Sequence, residues 1–145
     1  MINSILLVDD EDLFHLVFED ACNLLDITLS LESISSTDEA ASLFKKWFDE
    51  KTPHERPECV FVDLNMIGSS FDGIELVRRI NFEYGNSVVI GIISSSNEPT
   101  EQLKAISAGA QFWIIKSDEI EPRLEEFKAD YKSYKNRTAP FKVYK

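Results

Sequence analysis

Four short apolar runs, each ending on a polar or charged side chain and each followed by an apolar stripe of helical spacing, constrain this chain more than any other feature. They are Ile5-Leu6-Leu7-Val8 before Asp9 and Asp10, Cys59-Val60-Phe61-Val62 before Asp63, Val88 to Ile93 before Ser94, and Phe112 to Ile115 before Lys116. An unbroken apolar run of this length fits a strand covered on both faces, the situation of a parallel sheet. A weaker segment, Leu29 to Ile34, alternates Leu and Ile with Ser and Glu and is expected to be a half-buried edge strand.

The intervening stretches read as helices. Phe14, Val17, Phe18, Ala21 and Leu25 form one stripe, and Ser36-x-x-Glu39 is a capping box opening a helix through Ala40, Leu43, Phe44 and Trp47 that Pro53 stops. Gly73, Leu76, Val77 and Ile80 mark a third helix ended near Gly85, and Pro99 and Gly109 bracket a fourth. Ile120, Leu124, Phe127, Tyr131 and Tyr134 mark the last, with Pro140 ending any continuation. Five strand–helix units with right-handed crossovers give an α/β fold, a three-layer doubly wound (βα)5 arrangement around a five-stranded parallel sheet. Ligands of such sheets bind beyond the carboxyl ends of the strands.

A chain of 145 residues is the size of one domain. It has no apolar run near the ~18 residues that cross a bilayer, and Met1-Ile2-Asn3-Ser4 lacks the charged start of a signal peptide, so no membrane association and a cytoplasmic location are expected. Cys22 and Cys59 show no metal or redox spacing and are read as small buried hydrophobes. A net charge of −11 argues against direct nucleic-acid binding. The basic residues gather at the end, where Lys128, Lys132, Lys135, Arg137, Lys142 and Lys145 face one acid, Asp130. The expectation is a domain over residues 1–128, then, over 129–145, the end of the last helix and a basic, solvated tail.

At the strand ends the fold would gather Asp9, Asp10, Asp63, Ser94 and Lys116. Two unit charges about 4 Å apart repel by roughly 4 kcal/mol at an effective dielectric near 20, so three converging carboxylates call for a cation. Mg²⁺ suits them, because it takes carboxylates, waters and phosphate oxygens together. Lys116, facing the acids, can pair with a phosphoryl oxygen that the metal does not hold.

These residues resemble a known signature. Leu6-Leu7-Val8-Asp9-Asp10, Val62-Asp63-Leu64-Asn65-Met66 with Asp72-Gly73, Ile92-Ile93-Ser94-Ser95, and Gly109-Ala110 leading to Trp113 and Lys116 look like the receiver domain of two-component response regulators, over about residues 4 to 128. The resemblance implies a flavodoxin-like, CheY-like fold and a signalling module rather than an enzyme. By it, Asp63 becomes the 4-aspartylphosphate, with Asp10 and Asp63 as direct Mg²⁺ ligands. Asp9 acts through a metal-bound water, and the Asn65 backbone carbonyl supplies another ligand. Ser94 and Lys116 contact the phosphoryl group, and Trp113 stands where the family has its switch aromatic. The implied partners are a sensor histidine kinase or histidine phosphotransfer protein, a downstream protein target, and a second copy in a homodimer.

The chain departs from that pattern in three places. Ile67 replaces a usual proline, and Gly68-Ser69-Ser70-Phe71 lengthens the loop that follows, which is expected to be more mobile than usual. Ser117 replaces the proline usual after the lysine, where the family often has a cis peptide. Trp113 is bulkier than the usual Tyr or Phe. Two other functions are weighed: a phosphorylation-independent interaction module, and an aspartate-nucleophile phosphohydrolase, which would place an acid two residues after Asp63, where this chain has Asn65.

Overall fold

The computed structural model describes residues 2, 4–27, 34–50, 56–66, 68–85, 87–117 and 119–145. Along these the order is β1 (Ile5–Val8), α1 (Asp12–Leu24), α2 (Thr37–Glu50), β2 (Cys59–Asp63), α3 (Gly73–Tyr84), β3 (Val89–Ser94), α4 (Pro99–Ala108), β4 (Phe112–Ile115), α5 (Ile120–Lys135) and β5 (Lys142–Tyr144). The strands form one parallel sheet in the order β1-β2-β3-β4-β5.

Alternation along each strand divides the core. Ile5, Leu7, Phe61, Ile93, Phe112 and Ile114 face α1 and α5, while Leu6, Val8, Val62, Ile92 and Trp113 face α2, α3 and α4. Both faces are covered, which is why the runs are apolar at every position rather than at alternate ones. The α5 face is aromatic: Phe61, Phe112, Phe127 and Tyr134 meet ring against ring at centroid distances of 4.5–5.6 Å. Gly91 makes room for it, because a Cβ there would lie 2.5 Å from the Phe112 ring. Cys22 and Cys59 are buried free thiols, and burial pushes the Cys22 thiol up to about 12.

Caps end the helices where sequence placed them. Ser36 Oγ accepts from the Glu39 amide, Pro99 opens α4, and Gly109 closes it in the left-handed region at φ 108°. The expected edge strand at 29–34 lies outside the described residues except Ile34, which bridges Val8 in parallel.

One sequence expectation changes. The basic end is not a solvated tail: α5 runs to Lys135, the chain turns through Arg137 at φ 61°, and Lys142–Tyr144 pairs with β4 as a further parallel strand. Four of its basic side chains, Lys128, Lys135, Arg137 and Lys142, have partners. Arg137 donates to the carbonyls of Gly85 and Val88, Lys128 donates to the Leu25 carbonyl, and Lys142 pairs with Glu126 and Asp130 at 2.7 and 3.0 Å. Tyr144, buried, lies 2.8 Å from the Tyr134 hydroxyl and donates to Asp130 Oδ2 at 2.7 Å.

The described residues of the long loop after β2 are bonded to α2. The Thr37 amide donates to Ser69 Oγ at 3.2 Å, Thr37 Oγ1 to the Phe71 carbonyl at 2.7 Å, and the Ser70 amide to Asp38 Oδ2 at 2.8 Å. Arg79 stacks 3.8 Å from the Phe71 ring centroid. The extra residues thus find partners on the first turn of α2, and the bond from the Ser70 amide holds the Asp38 carboxyl below its ordinary value.

Replacing Tyr144 by Ala removes a buried ring and strands the Tyr134 hydroxyl. The variant is expected to lose about 3–5 kcal/mol in urea unfolding, as for other buried aromatics. A loss under about 1 kcal/mol, the size of a single net hydrogen bond, would mean that β5 adds nothing to the fold.

Candidate functional site

Strand register builds the pocket. Val8 pairs with Val62, Asp63 with Ile93, and Ser94 with Ile115, so the residue after each pair emerges at the same edge of the sheet. Asp9, Asp10, Asp63, Ser94 and Lys116 therefore meet there, all from the sequence reading. Asp9, Asp63 and Ser94 are buried, Asp10 is half-buried, and Asn65 is exposed at the lip. Each of Asp9, Asp10 and Asp63 offers a carboxylate oxygen, and these atoms lie within 4.8 Å of one another.

That crowding marks Asp63. Burial raises its carboxyl most, repulsion from Asp9 and Asp10 adds to this, and attraction to Lys116 with a bond from the Leu64 amide only partly offsets it, leaving the group at about 7. Lys116 answers the charge from the opposite wall, with Nζ 2.8 Å from Asp9 Oδ2, 2.8 Å from Glu11 Oε2 and 4.6 Å above the Phe14 ring. Burial works against its charged form, yet the bonds to Asp9 and Glu11 and the attraction of Asp63 outweigh it and hold the amine above its ordinary value. The Lys116–Ser117 peptide is trans, and the amine enters the pocket without the proline usual at that joint.

The backbone around Asp63 is fixed by Gly73, the first residue of α3. Its amide donates to the Leu64 carbonyl at 3.0 Å, and a Cβ there would lie 2.0 Å from the Asp63 carbonyl oxygen, so only glycine lets α3 sit this close to β2. Ser94 Oγ accepts from the Ser96 amide at 3.1 Å, which leaves the hydroxyl proton for another acceptor. Trp113 is fully buried, its indole N–H donating to the Ser96 carbonyl at 3.0 Å.

Sequence reasoning missed two participants. Glu11 shares Lys116 with Asp9 and also donates its amide to Asp9 Oδ1 at 2.8 Å. His15 donates Nε2–H to the Asp9 carbonyl at 2.7 Å and braces the end of β1. The signal for both was position: one residue past the acid pair, and one helical turn further on.

The donor set fits a hard divalent cation. Three carboxylate oxygens converge, one of them on Asp63, whose carboxyl is raised first by burial and then by repulsion from Asp9 and Asp10, both of which a bound cation would offset. Asp9, Asp10 and Asp63 would hold it, with the Asn65 carbonyl as a further donor at the rim.

The sequence matches the family model described as "Response regulator receiver domain" over residues 5–125. No curated relative matches it significantly. Solved structures share the fold at low identity. The isolated receiver domain of RcsB from Salmonella enterica serovar Typhimurium, solved with phosphomimetic BeF3⁻, is 14% identical with a TM-score of 0.74, covering 96% of this chain and 99% of that one. The Mn²⁺-bound form of the response regulator Rcp1 is 15% identical, with a TM-score of 0.69 over 89% of this chain and 94% of that one. The chemotaxis regulator CheY4 of Vibrio cholerae is 17% identical, with a TM-score of 0.68 over 87% and 98%.

Asp63 sets a pH signature. A carboxyl raised to about 7 in the folded chain binds its proton more tightly there than when unfolded. Its contribution to stability is therefore complete at pH below about 4 and is lost as pH climbs through about 7. In chelator, the pH-dependent fall in melting temperature between pH 5 and about 8 should shrink in Asp63→Asn. Added Mg²⁺ should raise the melting temperature more at pH 8 than at pH 6, since the cation competes with the proton. An Asp63→Asn protein with the wild-type pH slope and Mg²⁺ response would refute the assignment.

Proposed function

Because this chain belongs to the response-regulator receiver family, whose members are signalling modules, we propose that it accepts a phosphoryl group on Asp63 from a phosphohistidine of a sensor kinase or histidine phosphotransfer protein. The observation that carries the reading is the convergence of Asp9, Asp10 and Asp63 beside a lysine, Lys116, that pairs with Asp9.

The chemistry follows from what each side chain can supply. An Asp63 carboxylate oxygen attacks phosphorus in line, the new P–O bond forms as the P–N bond to the donor imidazole breaks, and the imidazole leaves with that electron pair and takes a proton from solvent. Mg²⁺, when bound by Asp9, Asp10 and Asp63, supplies positive charge that neutralises the phosphoryl oxygens. Lys116, in leaving Glu11, can pair with a second oxygen, and Ser94 donates its free hydroxyl proton to a third. Asp63 at about 7 is largely ionised only near and above neutral pH, so a cation beside it also favours the nucleophilic form.

A donor protein must bring its imidazole to the pocket across α1, whose exposed Leu13 and Leu16 stand a few residues beyond Asp10. Two leucines beside a charged mouth suit a partner that presents its histidine on an apolar surface. A phosphohydrolase lacks support here: Asn65, two residues past Asp63, carries an amide that cannot serve as general acid or base.

Incubation with acetyl phosphate and Mg²⁺ should add the mass of one phosphoryl group to the intact protein, and Asp63→Asn should abolish it. Lys116→Ala should lower the yield by about 10²-fold or more, the usual loss on removing one preorganised donor. An unmodified wild-type mass would favour the phosphorylation-independent module, and steady turnover of phosphate esters a hydrolase. Glu11→Gln, which releases one of the two carboxylates holding Lys116, should speed adduct formation; a slower reaction would show that Glu11 aims the amine instead.

A further inference from the structure

We infer that the C-terminal strand β5 is a positioning element of the Asp63 site, acting through Trp113, Ser96 and Ser94. The inference rests on the phosphoacceptor reading above.

The connection is continuous and each link is a specific contact. Ser94, at the pocket, accepts from the Ser96 amide, and the Ser96 carbonyl in turn accepts the Trp113 indole N–H. Trp113 pairs with Val143 in the register of β4 and β5. Directly paired residues of neighbouring strands project from the same face of the sheet, so Val143 flanks the indole. Phe141 and Val143 both pack against the core cluster that contains Trp113. On its other flank Trp113's strand neighbour is Ile92 of β3, which is buried, and above it the indole N–H is fixed to the loop after β3. On the edge side of β4 it is β5 that covers this ring.

β5 is held by a set of contacts that the pocket does not share. Three register pairs join it to β4, Tyr144 reaches Tyr134 and Asp130, and Lys142 reaches Glu126 and Asp130. With β5 docked, Trp113 keeps Ser96 in place and Ser96 keeps the Ser94 oxygen occupied as an acceptor, so that its proton points elsewhere. With β5 undocked, the indole gains room at the edge, its bond to Ser96 is no longer enforced, and Ser94 loses its fixed direction. By linkage, a phosphoryl group that engages Ser94 must strengthen the docking of β5 by the same factor that docking favours the phosphoryl group.

The test compares the wild-type chain with Val143→Asp and with the conservative Val143→Ile, each incubated with acetyl phosphate and Mg²⁺ and weighed over time. Expected are a Val143→Asp rate of adduct formation lower by about fivefold or more, the lower end of ordinary coupling between sites, and a wild-type rate in Val143→Ile. In a Trp47→Phe background, where Trp113 is the remaining tryptophan, Val143→Asp should shift the emission to the red and make it more quenchable by acrylamide. Should Val143→Asp fail to fold, amide exchange in the wild type with and without beryllofluoride decides: exchange at residues 142–144 should slow when the phosphate mimic binds. An adduct that forms equally fast in folded wild type and Val143→Asp, or exchange at β5 indifferent to beryllofluoride, overturns the inference and leaves Asp63 as phosphoacceptor. A wild type that takes up no phosphoryl group overturns both.

Discussion

The mutual repulsion of Asp9, Asp10 and Asp63 is the constraint that the rest of the site answers. Strand register forces it, since parallel neighbours that keep step must end together. Three carboxylates with oxygens within 4.8 Å are tolerable only because Lys116 reaches Asp9 and because a group as buried as Asp63 can hold its proton near neutrality. The structure thus holds unfavourable electrostatics where a bound cation would relieve it, as expected of a site that binds charge rather than one built for stability.

The scaffold that imposes this crowding is rigid in specific places. Gly73 lets α3 rest on the carbonyl of Asp63, and His15 bonds the carbonyl of Asp9, so both strand ends are fixed from the helical layers. The lengthened loop after β2 is tied to α2 through Thr37 and Asp38. Extra length in a loop is cheap when its added residues are serines that can bond a helix start.

What was legible in the sequence is what depends on local pattern. Strands buried on both faces announce themselves as unbroken apolar runs, and Ser36, Pro99 and Gly109 mark helix ends by their own chemistry. The acids, Ser94 and Lys116 follow because a strand's last residue is visible once the strand is. β5 was not legible. It is three residues long, has a lysine at one end, and follows a proline, so it carries no periodicity of its own. Its stability is tertiary, drawn from β4 about thirty residues earlier and from Tyr134 and Asp130 on α5. Glu11 and His15 escaped for a similar reason: an exposed acid and a half-exposed histidine on a helix acquire meaning only from what the fold sets against them.

The two faces of the sheet differ in how they can respond to events at Asp63. On the α5 side, Phe61, Phe112, Phe127 and Tyr134 interlock over Gly91, and none can rotate without displacing another. On the opposite side, Trp113 has buried Ile92 on one strand flank and, on the other, the partly buried Val143 of β5, the shortest strand among the described residues, with its indole N–H bonded to the Ser96 carbonyl. Short edge elements with few buried apolar contacts open at lower free energy than a core does. A change in charge at Asp63 that reaches Ser94 therefore meets little resistance along the path through Ser96 and Trp113 to β5, and much along the aromatic path to α5.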